Sequence, residues 1–348
     1  MPRQFDQLLP GMPGIVDQDV YGATRAGMLA PAVVHDPALL YVPDSAGSSV
    51  TVISQRSHKI VRVLHAGSMS QHVSPSYNLR SLYVDSSAAN ELVTINARTA
   101  QLWGKRTVPR PYNVYFTPDG RQAVVMTEQH NQIRFSDPRS FKLIASRSDR
   151  SCRGPNHADF SANGQYFLVT CEFSGAVLRV ATRSHRITGV LRLGKDSMPQ
   201  DIRISPDGLT FYVALMGRNR VTRIDGEHLT VLGSVRTPKG PHGLYPSRDG
   251  KLLYVSDRAA GKVSVISFAR HRIVATWKIP GGGSPDMGGV SADGKMLWLT
   301  GRYDGVVYGF NTASGRLAAK IKVGGSPHGM AVWPQPGRYS LGHTGNMR

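Results

Sequence analysis

The sequence predicts an all-β fold, a seven-bladed β-propeller, on three observations: a phrase that recurs about every forty residues, a period-two alternation inside each copy, and complementary fragments at the two chain ends. The phrase is Pro-x-x, then a short apolar strand, then a turn of the type Ser-Pro-Asp-Gly. Its copies are SQHVSPSYNL from Ser70, PYNVYFTPDG from Pro111, PNHADFSANG from Pro155, PQDIRISPDG from Pro199, PHGLYPSRDG from Pro241, PDMGGVSADG from Pro285 and PHGMAVWPQPG from Pro327. The second residue after each proline position is His72, Asn113, His157, Asp201, Gly243, Met287 or Gly329, and the spacings are 41, 44, 44, 42, 44 and 42.

Within a copy, bursts such as LLYVSD, KVSVIS and RIVATWKI alternate apolar and polar residues, which is a strand period and not the i, i+3, i+4, i+7 pattern of a helical repeat. In the copy around Gly243 the strands are expected at 243–246 (A), 251–256 (B), 262–267 (C) and 271–278 (D). The Asp-Gly turn between A and B is a hairpin signal, because glycine supplies the positive φ of a tight turn. The Pro/Gly-rich stretch 280–285 carries the chain inward to the next blade.

The N-terminal unit supplies only LLYVPD, SVTVIS and KIVRVL, and the last copy only an innermost strand. We therefore expect one joint blade, with B, C and D from about 39–64 and A from about 329–333, a closure that removes an exposed sheet edge. The domain expectation is an extended arm (1–38), a propeller (39–333) and a C-terminal tail (334–348).

At 348 residues and 40% hydrophobic content, the chain can bury one large core. No apolar run approaches the roughly 20 residues needed to span a bilayer. The opening MPRQFDQLLPGMPG shows neither a long apolar stretch nor a cleavage site, so the protein is expected either to be cytoplasmic or to begin after processing.

The units resemble the YVTN-type β-propeller repeat, which likewise places a Pro-x-Gly step before a Ser-Pro-Asp-Gly hairpin and a Tyr-Val strand, here at 82–84, 211–213 and 253–255. The resemblance covers about 39–333. The stretches 154–175, 281–305 and 333–348 are similar to a narrower branch of exported bacterial propellers, often lipoproteins, which implies a location outside the cytoplasm. Propellers of this kind include haem- and copper-binding domains, amine dehydrogenase heavy chains, a streptogramin lyase, and surface or nucleic-acid binding proteins, so the repeat specifies fold far more than function.

In such a propeller the D-to-A and B-to-C loops share one face, and the Pro-x-x step lies at the mouth of the central channel. The first position after the proline gives Gln71, Tyr112, Asn156, Gln200, His242, Asp286 and His328; the second gives the residues already spaced. Four histidines, His72, His157, His242 and His328, thus face one axis with Asp201, Asp286, Asn113 and Asn156. Neutral imidazoles and carboxylates in a desolvated mouth suit a divalent transition metal such as copper or zinc. They also suit general acid–base chemistry by His157 and His242 in a metal-assisted lyase or isomerase. A third reading is a ring of polar groups that only satisfies backbone and channel water.

The B-to-C loops add Glu128 and His130, Glu172 and Phe173, Met216 and Arg218, Asp257 and Arg258, then Arg302, Tyr303 and Asp304. Adjacent acids and arginines suit a small polar or anionic ligand held by Asn113, Asp201, Asp286, Glu172, Arg258, Arg302 and Tyr303, or else form ordinary paired charges. Cys152 and Cys171 flank one A–B unit. They read as a disulfide, which implies an oxidising compartment, as soft metal ligands beside His157, or as unrelated thiols.

Lys and Arg number 42 against 23 Asp and Glu, a net charge of +19. Such an exterior draws polyanions or envelope surfaces non-specifically, and an envelope-associated scaffold is a further functional reading. No basic helix, zinc-finger spacing or stacking motif supports sequence-specific nucleic-acid recognition. Phosphate-loop, His-Glu-x-x-His, Cys-x-x-Cys and Gly-x-Ser-x-Gly signatures are absent, and a monomer is expected. Chain ends default to disorder, but the resemblance of the tail argues for docking, with His343 against the propeller surface.

Overall fold

The inner strands of seven four-stranded antiparallel sheets stand around one axis in the computed structural model, which describes residues 3–348. In chain order they are Ser70–Pro75 (blade 1), Asn113–Phe116 (2), Pro155–Phe160 (3), Pro199–Ile204 (4), Pro241–Pro246 (5), Pro285–Val290 (6) and Ala331–Trp333 (7). Blade 7 is closed as expected. Ala331–Trp333 pairs with Leu39–Pro43, which continues into Ser49–Ser54 and Ile60–His65, with Leu40 opposite Val332. In blade 5 the strands are Pro241–Pro246, Leu252–Asp257, Lys262–Ser267 and Arg272–Lys278, within two residues of the expected bounds.

The Pro-x-x step has a structural reason. In blades 1, 3, 4, 5 and 6 the register between strands A and B shifts there, between Ser70 and Val73, Pro155 and Ala158, Pro199 and Ile202, Pro241 and Leu244, and Pro285 and Gly288. Two residues per blade leave the ladder, as in a β-bulge, and are re-aimed away from the sheet. A strand-B hydroxyl fills the gap: Gly243 N–H donates to Ser256 Oγ (2.8 Å), and His157 and Met287 N–H to Thr170 and Thr300 Oγ1 (both 3.2 Å). Inner strands of neighbouring blades splay apart, so side chains bridge them. Ala158 N–H donates to Tyr115 Oη (2.9 Å), Leu244 N–H to Asp201 Oδ2 (2.9 Å) and Gly288 N–H to Tyr245 Oη (2.7 Å), satisfying donors that would otherwise be buried unpaired.

The chain ends close the face opposite the mouth. The arm crosses the A–B turns, with Leu9 N–H on Asn163 O (2.8 Å), Val20 N–H on Pro206 O (2.8 Å) and Gly27 N–H on Ala292 O (2.9 Å). The tail is neither disordered nor laid on the surface. It folds as a hairpin, with Leu341 N–H on Asn346 O (2.7 Å) and Arg348 N–H on Tyr339 O (3.0 Å), and inserts into the channel beside blade 2. Phe116 N–H donates to Leu341 O (3.0 Å) and His343 N–H to Val114 O (2.7 Å), so the hairpin climbs toward the mouth with His343 at its tip. Gly342 makes the approach feasible: its φ is +91°, and a Cβ there would meet Val114 O at 2.2 Å. Below the tip, Arg348 Nη2 and Asn346 Nδ2 donate to the buried Asp159 (2.6 and 2.8 Å).

Candidate metal centre in the channel

Five imidazoles meet at the top of the plugged channel, one more than the repeat supplies. His72, His157, His242, His328 and the tail's His343 are all buried, with ring centroids 4.6 Å apart for His72 and His328, 4.9 Å for His157 and His343, and 5.8 Å for His242 and His328. His72 fits because residue 329 is glycine, where a Cβ would lie 2.0 Å from the imidazole Cδ2.

Three of the five, His72, His157 and His343, bring ligating nitrogens within 4.8 Å of one another. Nitrogens around a tetrahedral zinc stand about 3.3 Å apart, so closure on an ion needs each to move in by less than about 1 Å. Their Nε2 atoms are buried without a hydrogen-bond partner among the described residues, and that of His343 faces the Asp201 carboxylate, 3.7 Å from Oδ1. The opposite nitrogens are held. His72 Nδ1–H donates to Tyr112 O (2.7 Å). The Asn113 amide lies between His157 Nδ1 and His343 Nδ1, its nitrogen 3.2 and 2.9 Å away. A half-turn of this amide puts its oxygen at the same point, where it accepts N–H from both rings and leaves both Nε2 atoms as lone pairs. Burial drives all three imidazoles toward the neutral, metal-ligating form, His72 to about 3 and the others well below the ordinary histidine value, with neighbouring Arg and His charges adding to the effect.

His242 and His328, expected in the same ligand set, turn their Nδ1 atoms to Asp286 instead (3.0 and 2.7 Å). That carboxylate also accepts from Arg258 Nη1 (3.2 Å) and faces Arg302 Nη1 at 3.6 Å. Burial raises the Asp286 pKa, but His242, Arg258 and His328 outweigh it and hold the group well below the usual carboxylate range. His328 Nε2 is also unpartnered, whereas Nδ1 is contested by Asp286 and by Arg302 Nη1, each 2.7 Å away.

The other expected ligand-binding residues divide between channel and rim. Asp201 is consumed internally: Ile202 N–H and Arg203 Nη1 donate to Oδ1 and Leu244 N–H to Oδ2, all at 2.9 Å, and burial against the pull of Arg203 pushes its pKa up to about 6. Asn113 orients imidazoles. Glu172, Arg258, Arg302 and Tyr303 stand at the mouth. Glu172 Oε2 accepts from Asn156 Nδ2 (3.0 Å), and Glu128 beside it is pushed up to about 8 by burial and by the Glu172 charge. His157 and His242, the pair considered for proton transfer, have ring centroids 6.3 Å apart.

Cys152 and Cys171 are joined to each other, with Cα atoms 5.1 Å apart, which withdraws both sulfurs from metal coordination. The bridge ties the D-to-A loop to strand B of blade 3, the blade that carries Asn156, His157 and Glu172. Period counting could not find His343, which lies outside the repeat. Its local signal is Gly-His-Thr-Gly between the strand-like Tyr-Ser-Leu and Asn-Met-Arg.

The YNCE-like beta-propeller family model matches residues 20–336. The chain belongs to that family. No curated protein sequence is significantly similar to it. Among solved structures, a functionally unknown protein from Desulfotomaculum acetoxidans is similar at 18% identity and TM-score 0.71, over 85% of this chain and 98% of that one. Virginiamycin B lyase from Staphylococcus aureus is similar at 17% identity and TM-score 0.61, over 73% and 84%. Hydrazine synthase from Kuenenia stuttgartiensis is similar at 18% identity and TM-score 0.63, over 76% and 90%. Likeness at this level is a likeness of fold. Among the described residues no helix is long and apolar enough to cross a membrane.

Proposed function

We propose that this YNCE-like propeller binds a transition-metal ion, zinc or copper, in its channel through the Nε2 atoms of His72, His157 and His343. The observation that carries the reading is a group of three buried histidines whose ligating nitrogens converge and whose Nε2 atoms have no hydrogen-bond partner among the described residues, since an unsatisfied buried polar atom costs about 1–3 kcal/mol. The second contacts support it: Tyr112 O and the Asn113 amide orient the rings as outer partners do at metal sites. A neutral set of three imidazoles suits zinc or copper better than calcium or magnesium, which prefer oxygen ligands. The ion would enter from the mouth, because the hairpin and the arm fill the other face. The Cys152–Cys171 bridge favours work in an oxidising compartment outside the cytoplasm.

The test is elemental analysis of protein purified without chelator, with thermal-shift titrations of zinc and copper. We expect one ion per chain and a saturable rise in unfolding temperature, as mass action requires of a ligand bound by the native state. The rise should be lost in His72→Ala, His157→Ala and His343→Ala. Absence of metal and of any shift would leave the imidazoles as a hydrogen-bonded lining.

A further inference from the structure

A cavity of about 630 Å³ opens on the mouth face off the axis, between the loops of blades 4, 5 and 6. Its lining includes the thioethers Met198 and Met216, the cations Lys239 and Arg258, and the aromatic ring of Tyr303. Arg258 is largely buried, yet among the described residues only its Nη1 has an oxygen partner, Asp286 Oδ1 at 3.2 Å; Nη2 points at the thioether Sδ of Met216 at 2.9 Å, a weak acceptor. The guanidinium lies over the Tyr303 ring, 5.6 Å from its centroid, and Tyr303 is 71% exposed. Tyr303 thus has the guanidinium on one face and is otherwise exposed beside a cavity, and the arginine next to it is short of acceptors: the pair lacks an anion and a second flat partner. The nearby acid Asp304 does not supply it, because Ser284 N–H, Ser284 Oγ–H and Tyr308 Oη–H all donate to its Oδ2 (2.6, 2.5 and 2.7 Å).

We propose that this cavity binds a small aromatic carboxylate. The carboxylate takes the free donors of Arg258, with Lys239 adding charge, and the ring lies between Tyr303 and the polarisable methionines. The site shares Asp286 with the channel imidazoles but uses none of the three proposed metal ligands, so it stands or falls separately from metal binding.

The experiment is isothermal titration calorimetry of the full chain, stripped of metal by a chelator, with phenylacetate. Acetate, inorganic phosphate and benzylamine serve as comparisons. For about ten heavy atoms we expect saturable binding with Kd near 1 mM, and acetate, phosphate and benzylamine at least about tenfold weaker. Arg258→Met should weaken phenylacetate at least about tenfold and Tyr303→Ala about threefold to tenfold. Because Arg258 also contacts Asp286, Tyr303→Ala and Lys239→Ala are the decisive variants: both side chains are exposed, and neither change should disturb folding. Failure of phenylacetate to saturate, equal binding of phosphate or benzylamine, or unchanged affinity in both Tyr303→Ala and Lys239→Ala would overturn the proposal.

Discussion

The imidazoles at the channel top fall into two groups that share residue type, burial and level in the fold, and differ in what holds their second nitrogen. His72, His157 and His343 rest on neutral groups, a backbone carbonyl and an amide. His242 and His328 rest on Asp286, an ionised carboxylate that also faces Arg258 and Arg302. A neutral outer partner leaves Nε2 free to take a cation at little cost. A partner already engaged by two guanidinium groups makes its imidazoles part of a charge network, whose first duty is to keep buried ions paired. One ring of similar residues therefore holds a candidate centre and a structural brace side by side.

The brace should show the largest effect. Asp286→Ala leaves Arg258 and Arg302 short of their shared anion and removes the acceptor of two imidazoles. We expect a loss of about 3–5 kcal/mol in urea unfolding. A change below about 1 kcal/mol would mean that the arginines find other partners, and the two groups would no longer be distinct. Metal affinity separates them next. His343→Ala should weaken zinc or copper binding at least about a hundredfold, about 2.7 kcal/mol, whereas His242→Ala should change it less than about threefold. Equal losses would place all five histidines in one centre.

The repeat made the blades legible, because the copies solve the same local problem: a step inward, a strand and a tight turn, which is Asp-Gly in four of the seven. It also made the mouth positions legible, since the bulge that throws two residues off the ladder falls at the same point of five blades. Which member of a position binds and which braces was not legible, because that depends on neighbours across blades. Asp201 lies where His157 lies one blade earlier, yet its oxygens close the Arg203 and Leu244 donors. Asp85 has the strand-B place held by Thr170, Ser256 and Thr300 elsewhere, and there burial alone raises its pKa well above the usual range. His343 was out of reach of period counting, since a hairpin plug is a long-range contact, 230 residues from Asn113.

Acid should act on both groups, with a sign fixed by burial. Each imidazole has a folded pKa below its unfolded value near 6.5, so the unfolded chain binds more protons as pH falls. Their stabilising contribution is complete above about pH 6.5 and is lost below it, at up to about 1.4 kcal/mol per pH unit for each histidine. Urea midpoints between pH 7 and 5 should fall steeply, and His343→Asn should flatten the slope by about one such increment. Glu128 works in the opposite direction. With its pKa raised to about 8, its stabilising contribution is complete below about pH 4.5 and is lost progressively as pH climbs from there through 8, so Glu128→Gln should gain stability relative to the parent across that window and level off above it.

The smallest expected effect bears most directly on the difference between the groups. Asn113 can present one oxygen to the Nδ1–H groups of both His157 and His343, which fixes both rings as Nε2 ligands. Asn113→Leu removes that acceptor while keeping a side chain of similar bulk. Metal affinity should then fall about tenfold, the lower end for loss of an outer partner. Asn113→Asp keeps an acceptor at the same place and adds a charge, moving the neutral-partner group toward the kind of environment Asp286 gives His242 and His328. If the outer partner acts by orienting the rings, Asn113→Asp should hold the ion at least as tightly as the parent, and the two substitutions should diverge. If both weaken binding alike, the amide is serving the fold through Tyr115 Oη, 3.2 Å from the same amide atom, and the tautomers of the three ligands are set by the ion itself.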